Sequence, residues 1–268
     1  MTLKAILLKF TRKPRFGYYL GAVRSLLAIS LLTNLLFTDI ERLFFYNLNA
    51  DVNPEIYEVK YGVITSFSLF NLLDIKPAFT IAVIVLVIII SGYFSKITSV
   101  LHFYICFSFV SSSLQVNGGN KISLVLTFLL IPICFLENRK NHWIDEDKRP
   151  NFYRDVSLNF ILLFARLQIS YIYFQAFYKK LALPEWSNGT ALWYFLQKTN
   201  IFAVENGLRR IILDFIIHNN GLLVLVTWLV LLAEFLISLT LFFKQDHRKY
   251  LFYVGLMLHV GIAVFMGL

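Results

Sequence analysis

Apolar residues in this chain come in blocks of roughly twenty, separated by short polar stretches. A helical block of ~18 or more such residues matches the ~30 Å hydrocarbon core of a bilayer. The blocks predict helices over about 16–37, 77–94, 96–115, 120–136, 156–180, 221–243 and 250–268. The expected fold is therefore all-α, a polytopic transmembrane helical bundle of about seven spans. Two longer stretches interrupt it, 38–76 and 181–220. The first reads as a mixed loop with a short amphipathic helix over about 59–73. The second has helical periodicity and many aromatics, the pattern of a segment that lies in the interface or folds back into the bundle.

Composition agrees with the pattern and overrules length, which alone would suggest one or two soluble domains. Hydrophobic residues make up 58% of the chain and charged residues 15%. The net charge of +9 is no nucleic-acid signal here, because loop Lys and Arg in a membrane protein report orientation and contact with anionic lipid. Residues 1–16, with Lys4, Lys9, Arg12, Lys13 and Arg15, read as a basic cytoplasmic arm. They lead into a full-length span with no small-residue cleavage site, unlike a signal peptide. Loop charges favour a multi-pass protein of the cell membrane with its N-terminus in the cytoplasm. That orientation puts both long loops on the outer face and the charged stretch 137–154 inside. The chain stops within an apolar run at Leu268, so a C-terminal truncation lacking at least one further helix is expected.

Cys106 and Cys134 sit in apolar blocks without CxxC spacing or a nearby cluster of ligating residues. Buried thiols are expected, and no metal site. The chain carries no G-x-x-x-x-G-K-[ST] loop, no H-E-x-x-H helix and no G-x-S-x-G elbow.

Candidate chemistry lies with ionisable residues inside spans, which cost ~2.5–3.5 kcal/mol near a helix centre and so call for a reason. They are Arg24, Arg166, Glu234 and His259, with His102 nearer a membrane edge. Two readings stay open: a structural pair such as Arg166 with Glu234, or a proton-relay or ligand role. The stretch YIYFQAFYKKLALPEWSNGT, 171–190, concentrates polar residues where the fifth predicted span ends. At ~100° per residue, Arg166, Tyr173 and Lys180 share one helix face, and Gln168, Gln175 and Lys179 the opposite one. The two lysines are thus not equivalent. Either snorkels towards headgroups, or Lys180 enters a pocket in which a desolvated lysine can act as a base. In the turn Asn117-Gly118-Gly119-Asn120, the glycines allow close backbone approach and Asn120 reads as the N-cap of the fourth span. Asn188-Gly189-Thr190 fits both a glycosylation sequon and a simple turn.

Three segments together, GYYLGAVRSLLAISLLTNLLF, QVNGGNKISLVLTFLLIP and YFQAFYKKLALPEWSNGTALWYF, resemble the HTTM family, membrane domains related to vitamin K-dependent γ-carboxylase. Within it, GAVRSLLAIS, GGNKISLVLTFLLIPICFLENRKNHW and EWSNGTALWYF resemble the SdpB family of bacterial antimicrobial-peptide systems. The likeness runs along nearly the whole chain, so residues 1–268 are expected to form a single HTTM-like transmembrane domain. In the carboxylases the second lysine of a similar Lys-Lys segment acts as the base on vitamin K hydroquinone. The resemblance implies that role for Lys180, with a reduced quinone or other lipid as cofactor. A functional carboxylase histidine corresponds to Asn120 here, a departure from the carboxylase pattern. The carboxylases' large extramembrane domain has no counterpart, so carboxylation itself does not carry over. The SdpB resemblance implies work on a secreted toxin-precursor peptide with a partner maturation protein. Three functions follow as expectations: toxin maturation or export, a lipoquinone-dependent carboxylase-like enzyme, and a non-catalytic scaffold or immunity partner. The expected outer-face pocket joins Lys180 and Asn120 with Arg166, Tyr173, Lys179, Trp186, Gly118 and Gly119.

Overall fold

Apolar blocks become helices, and in the computed structural model they run in chain order as follows. They are α1 (Tyr19–Phe37), α2 (Ile40–Leu43), α3 (Leu69–Leu72), α4 (Ile75–Ser91), α5 (Ser95–Ser112), α6 (Gly118–Glu137) and α7 (Phe152–Leu181). After these come α8 (Pro184–Ser187), α9 (Ala191–Lys198), α10 (Leu208–His218), α11 (Asn220–Ser238) and α12 (Gln245–Met266). The structure describes residues 16, 18–44, 66–113, 118–137, 139–144, 151–198 and 207–266. The basic arm up to residue 15, residues 59–65 of the amphipathic helix predicted over 59–73, Asn117 and Leu268 lie outside the described residues; of 66–73 only Leu69–Leu72 is helical. Among those described there is no β-strand, only two isolated bridges, Phe44 to Ser113 and Tyr93 to Asn141.

Four helices are long and apolar enough to cross a membrane: Tyr19–Phe37, Gly118–Glu137, Phe152–Leu181 and Asn220–Leu241. The last continues α11 through a 3-10 turn, Leu239–Leu241. The other three predicted spans are helical but shorter or more polar. Ile75–Ser91 has 17 residues, α5 carries many serines, and α12 opens on Gln-Asp-His-Arg-Lys.

Two compact units divide the chain, Met1–Leu162 and Leu163–Leu268, with the division inside α7. In the first, α5 packs most extensively on α6, and α1 lies against α4 and α6. Its core pairs small with large side chains: Ala28, Ala78 and Ala82 are fully buried beside Leu86, Ile105 and Phe109. Alanines at such contacts let helix backbones approach closely where no hydrophobic effect drives association. Cys106 and Cys134 are free and buried, as their apolar surroundings suggest. Serines of α5 hold the chain entering α3. Ser68 Oγ bonds Ser112 Oγ, and Ser108 Oγ accepts from the Leu69 amide at 3.0 Å.

The start of α6 differs from expectation. Gly118 and Gly119 are its first two residues, so Asn120 sits inside the helix instead of capping it. The side-chain oxygen of Asn120 accepts from Asn34 Nδ2 of α1 at 3.4 Å. Pro132 lies within α6, which continues past it to Glu137.

The segment 139–144 is fastened over the turn between α4 and α5. Gly92 closes α4 with φ +91°, and its carbonyl accepts from the His142 amide at 3.0 Å. The Lys140 carbonyl accepts from the Phe94 amide at 3.2 Å, and Trp143 Nε1 donates to the Ile90 carbonyl at 2.9 Å. A Cβ at Gly92 would lie 2.5 Å from Asn141 Oδ1 and 2.7 Å from Trp143 Cδ1. Left-handed backbone and crowding act together, so Gly92→Ala should cost about 1–3 kcal/mol. The expected result is a lower thermal unfolding midpoint for the variant in detergent; an unchanged midpoint would show that the strap does not press on the turn.

Candidate functional site

Polar side chains inside an apolar bundle must find partners within the protein, and each unit holds a cluster of ionisable ones among its described residues. In the second unit it is built on α7, α8, α11 and α12. Lys180, in the last turn of α7, forms an ion pair with Glu234 of α11. The Glu234 side chain is 7% exposed and that of Lys180 28%. The ammonium also stands 4.9 Å from the centroid of the Trp186 ring, which α8 presents after the α7 terminus. A cation over an indole face gains an attraction that strengthens as water is removed. One helical turn of aromatic packing flanks the pair, with Phe177 and Phe235 centroids 5.1 Å apart. Two turns back on the same face of α7, the Tyr173 hydroxyl meets His259 Nε2 of α12 at 2.7 Å.

Helical periodicity therefore separates the two lysines as the sequence suggests: Lys180 turns to a carboxylate, while Lys179 is exposed. The Arg166–Glu234 pair considered above is not formed. Glu234 takes Lys180 instead, and Arg166 is exposed. Gln175 donates to Tyr171 on the other face of α7. Asn188-Gly189 forms a turn, with Gly189 at φ +77° and Thr190 Oγ1 donating to the Glu185 carbonyl at 3.2 Å. Asn120, Gly118 and Gly119 belong to the first unit, Lys180, Tyr173 and Trp186 to the second.

An apolar cavity of about 540 Å³ also lies in the second unit. Side chains of α9 to α12 line it, among them Leu196, Leu213, Leu229, Tyr253 and Met257.

The first unit's cluster centres on Arg24, which is fully buried in α1. Its Nη1 donates to His142 Nδ1 at 2.7 Å and its Nη2 to Thr98 Oγ1 of α5 at 2.7 Å. A guanidinium can only donate, so the His142 ring is neutral and carries its proton on Nε2, facing Ser25 Oγ at 3.5 Å. Glu137 and Arg139 pair at 3.1 Å beside it, both buried. His142 was not singled out by sequence reasoning, because a histidine in a charged loop reads as solvated. The one available signal was Trp143 beside it, an aromatic that a purely solvated loop has no need of.

Burial, and then the Arg24 charge, hold His142 below its ordinary 6.5, at about 4. The unfolded chain therefore binds this proton first as pH falls, and stability drops through the window from 6.5 to 4. Above 6.5 both states are neutral there, and this group adds no slope. Thermal unfolding of the solubilised chain should show a fall in midpoint across that window, and His142→Gln should flatten it. Equal slopes for variant and parent would mean the Arg24–His142 contact is not what titrates. The carboxylate and cations nearest the ring, Glu137, Arg139 and Arg24, are the same in both proteins and so cancel in the comparison.

Comparison with known proteins gives two relatives. The chain is 28% identical over 240 residues to the sporulation-delaying protein SdpB of Bacillus subtilis (strain 168), covering 88% of this chain and 72% of SdpB. It is 31% identical over 191 residues to the uncharacterized protein YitO of the same organism, covering 70% of this chain and 60% of YitO. No family model matches the chain, and no solved structure does. The two alignments place this chain close to the SdpB family.

Proposed function

We propose that this chain serves a secreted antimicrobial-peptide toxin system, acting in maturation or export of the toxin, with Lys180 at its working centre. Similarity to SdpB supports the system, and the geometry of Lys180 supports the centre. The observation that carries the second point is the direction of the Lys180 side chain. A lysine that anchors a helix end sends its ammonium to the headgroups and leaves its stem on the apolar surface. Here the ammonium turns back onto a buried carboxylate and under an indole ring. In a seven-span arrangement with the N-terminus in the cytoplasm, this end of α7 meets the outer face. There a secreted precursor and a partner maturation protein are accessible. In this reading Tyr173 and Trp186 shape the centre, while Arg166 and Lys179 are available for contact with lipid or peptide.

The apolar cavity favours a second reading, a lipoquinone-dependent enzyme with Lys180 as base. Its lining of aliphatic side chains suits a hydrocarbon tail, which fits a lipid cofactor of that kind. Such a cofactor would supply a hydroxyl acidic enough to be deprotonated. An ion-paired ammonium has no lone pair to take that proton, so Lys180 must first hand its own proton on.

A host carrying the gene with its native neighbours tests the centre. Lys180→Ala, at matched membrane levels, should reduce secreted toxin activity by about a hundredfold or more, the scale of a lost proton-transfer group. Precursor that is still secreted but inactive assigns the lysine to maturation. Undiminished activity would make Lys180 a structural anchor and limit the carboxylase likeness to the fold.

A further inference from the structure

Four ionisable side chains of the second unit follow one another across three helices. Tyr173 and Lys180 stand seven residues apart on α7, two turns on one face and about 10 Å along the axis. Glu234 on α11 is 5% exposed and gives Oε1 to Lys180. His259 on α12 meets the Tyr173 hydroxyl at 2.7 Å. A Cβ at Gly255 would lie 3.6 Å from Ile237 Cδ1, which sets α11 and α12 in register. His259 is one turn after Gly255 and Glu234 about one turn before Ile237, so on two helices joined by a short connection they lie at a similar level. Through Lys180 the Glu234 carboxylate meets the α7 face that carries Tyr173, at the level of the tyrosine's partner His259. Its second oxygen, Oε2, is buried and has no hydrogen-bond partner among the described residues. A carboxylate oxygen so placed, beside a tyrosine already bonded to a histidine, has the surroundings in which a buried water bridges polar groups.

We propose that Lys180, Glu234, Tyr173 and His259 form a proton path through the second unit, with one water joining Glu234 Oε2 to the Tyr173 hydroxyl. Lys180 Nζ gives a proton to Glu234 and is left as a neutral amine with a lone pair. The carboxyl group, turned about its Cγ–Cδ bond, gives that proton to the water. The water passes one to Tyr173 as the Tyr173 hydroxyl proton moves to His259 Nε2. Glu234 returns to carboxylate and Tyr173 to phenol, and one positive charge has moved from Lys180 to His259. This rests on the reading of Lys180 as the working group and explains how a lysine that starts as an ammonium becomes able to accept a proton. Further cations of these helices within the unit are Arg166 of α7 and Arg248 and Lys249 of α12. Of the remaining charged groups nearby, Lys179 and Glu185 are both exposed.

An apolar carbodiimide, which modifies membrane carboxyl groups in their protonated form, reads the path directly. The full chain in phospholipid nanodiscs is labelled across a pH series, and modification at Glu234 is followed by peptide mass spectrometry. Glu234→Gln should abolish the label. Tyr173→Phe, which keeps the ring, and His259→Gln should each move the midpoint of the labelling curve by about one pH unit, a tenfold change in proton occupancy. Curves for both variants that superimpose on the parent overturn the path. The toxin assay separates this outcome from the reading beneath it. Shifted curves with full toxin activity in Lys180→Ala leave the path standing and remove the toxin role of the lysine. Superimposed curves with activity lost in Lys180→Ala do the reverse.

Discussion

A buried arginine without a carboxylate constrains the first unit more than any other feature. Arg24 is fully enclosed between α1 and α5, and among the described residues it forms no ion pair. Transfer of an isolated charge to such a place is prohibitive unless hydrogen bonds replace its hydration. Two of its nitrogens are satisfied, one by Thr98 and one by a neutral His142. The second acceptor comes from a connecting segment 118 residues away in the chain. The bundle therefore cannot close around Arg24 unless 139–144 is in place. That requirement explains the tight fit of Gly92 against Asn141 and Trp143 and the several backbone bonds that hold the strap. It also joins two of the segments that carry the family likeness, GAVRSLLAIS and the one ending in ENRKNHW.

The second unit meets the same constraint with opposite means. Glu234 is a buried acid, and its compensation is a full counter-charge brought from the end of α7. A buried ion pair adds little net stability, since desolvation of both partners offsets their attraction. What it contributes is placement: Lys180 is drawn onto α11 and under the Trp186 ring, two turns along α7 from the Tyr173–His259 pair. Neighbouring Lys179, identical in chemistry, has no such partner face and remains at the surface. About one hundred degrees of helix rotation separates the ion-paired lysine from the exposed one.

Much of this was legible in the chain. Helix positions were readable because hydrophobic runs are local properties: each of the seven apolar blocks is found as a helix within a few residues, four of them long and apolar enough to cross a membrane. The inequality of Lys179 and Lys180 was readable for the same reason, since it needs only the period of one helix. Interhelical pairing was not. Choosing Lys180 over Arg166 as partner of Glu234 requires the rotation and depth of α7 against α11, which no single segment encodes. The start of α6 was misread because Gly118-Gly119 satisfies turn and first-turn geometry alike, and only packing against Asn34 selects between them. His142 was missed because burial of a loop depends on a distant arginine.

The ion pair also bears on what the carboxylase likeness can mean here. A base must present a lone pair, and Lys180, ion-paired with Glu234 as an ammonium, has none. In its resting arrangement the group is therefore a donor or a positioning cation, suited to a carbonyl, a carboxylate or a peptide oxygen developing charge. It becomes a base only if Glu234 can relieve it of a proton and lose that proton in turn. The unpartnered oxygen of Glu234 and the nearby Tyr173–His259 contact are the features that give such a route. Had Glu234 been fully satisfied by other donors, the pair would be a static clamp. Glu234 Oε2, one of four buried side-chain polar atoms without a hydrogen-bond partner among the described residues, is the one that sits on an ion pair and turns a packing device into a site with chemistry available to it.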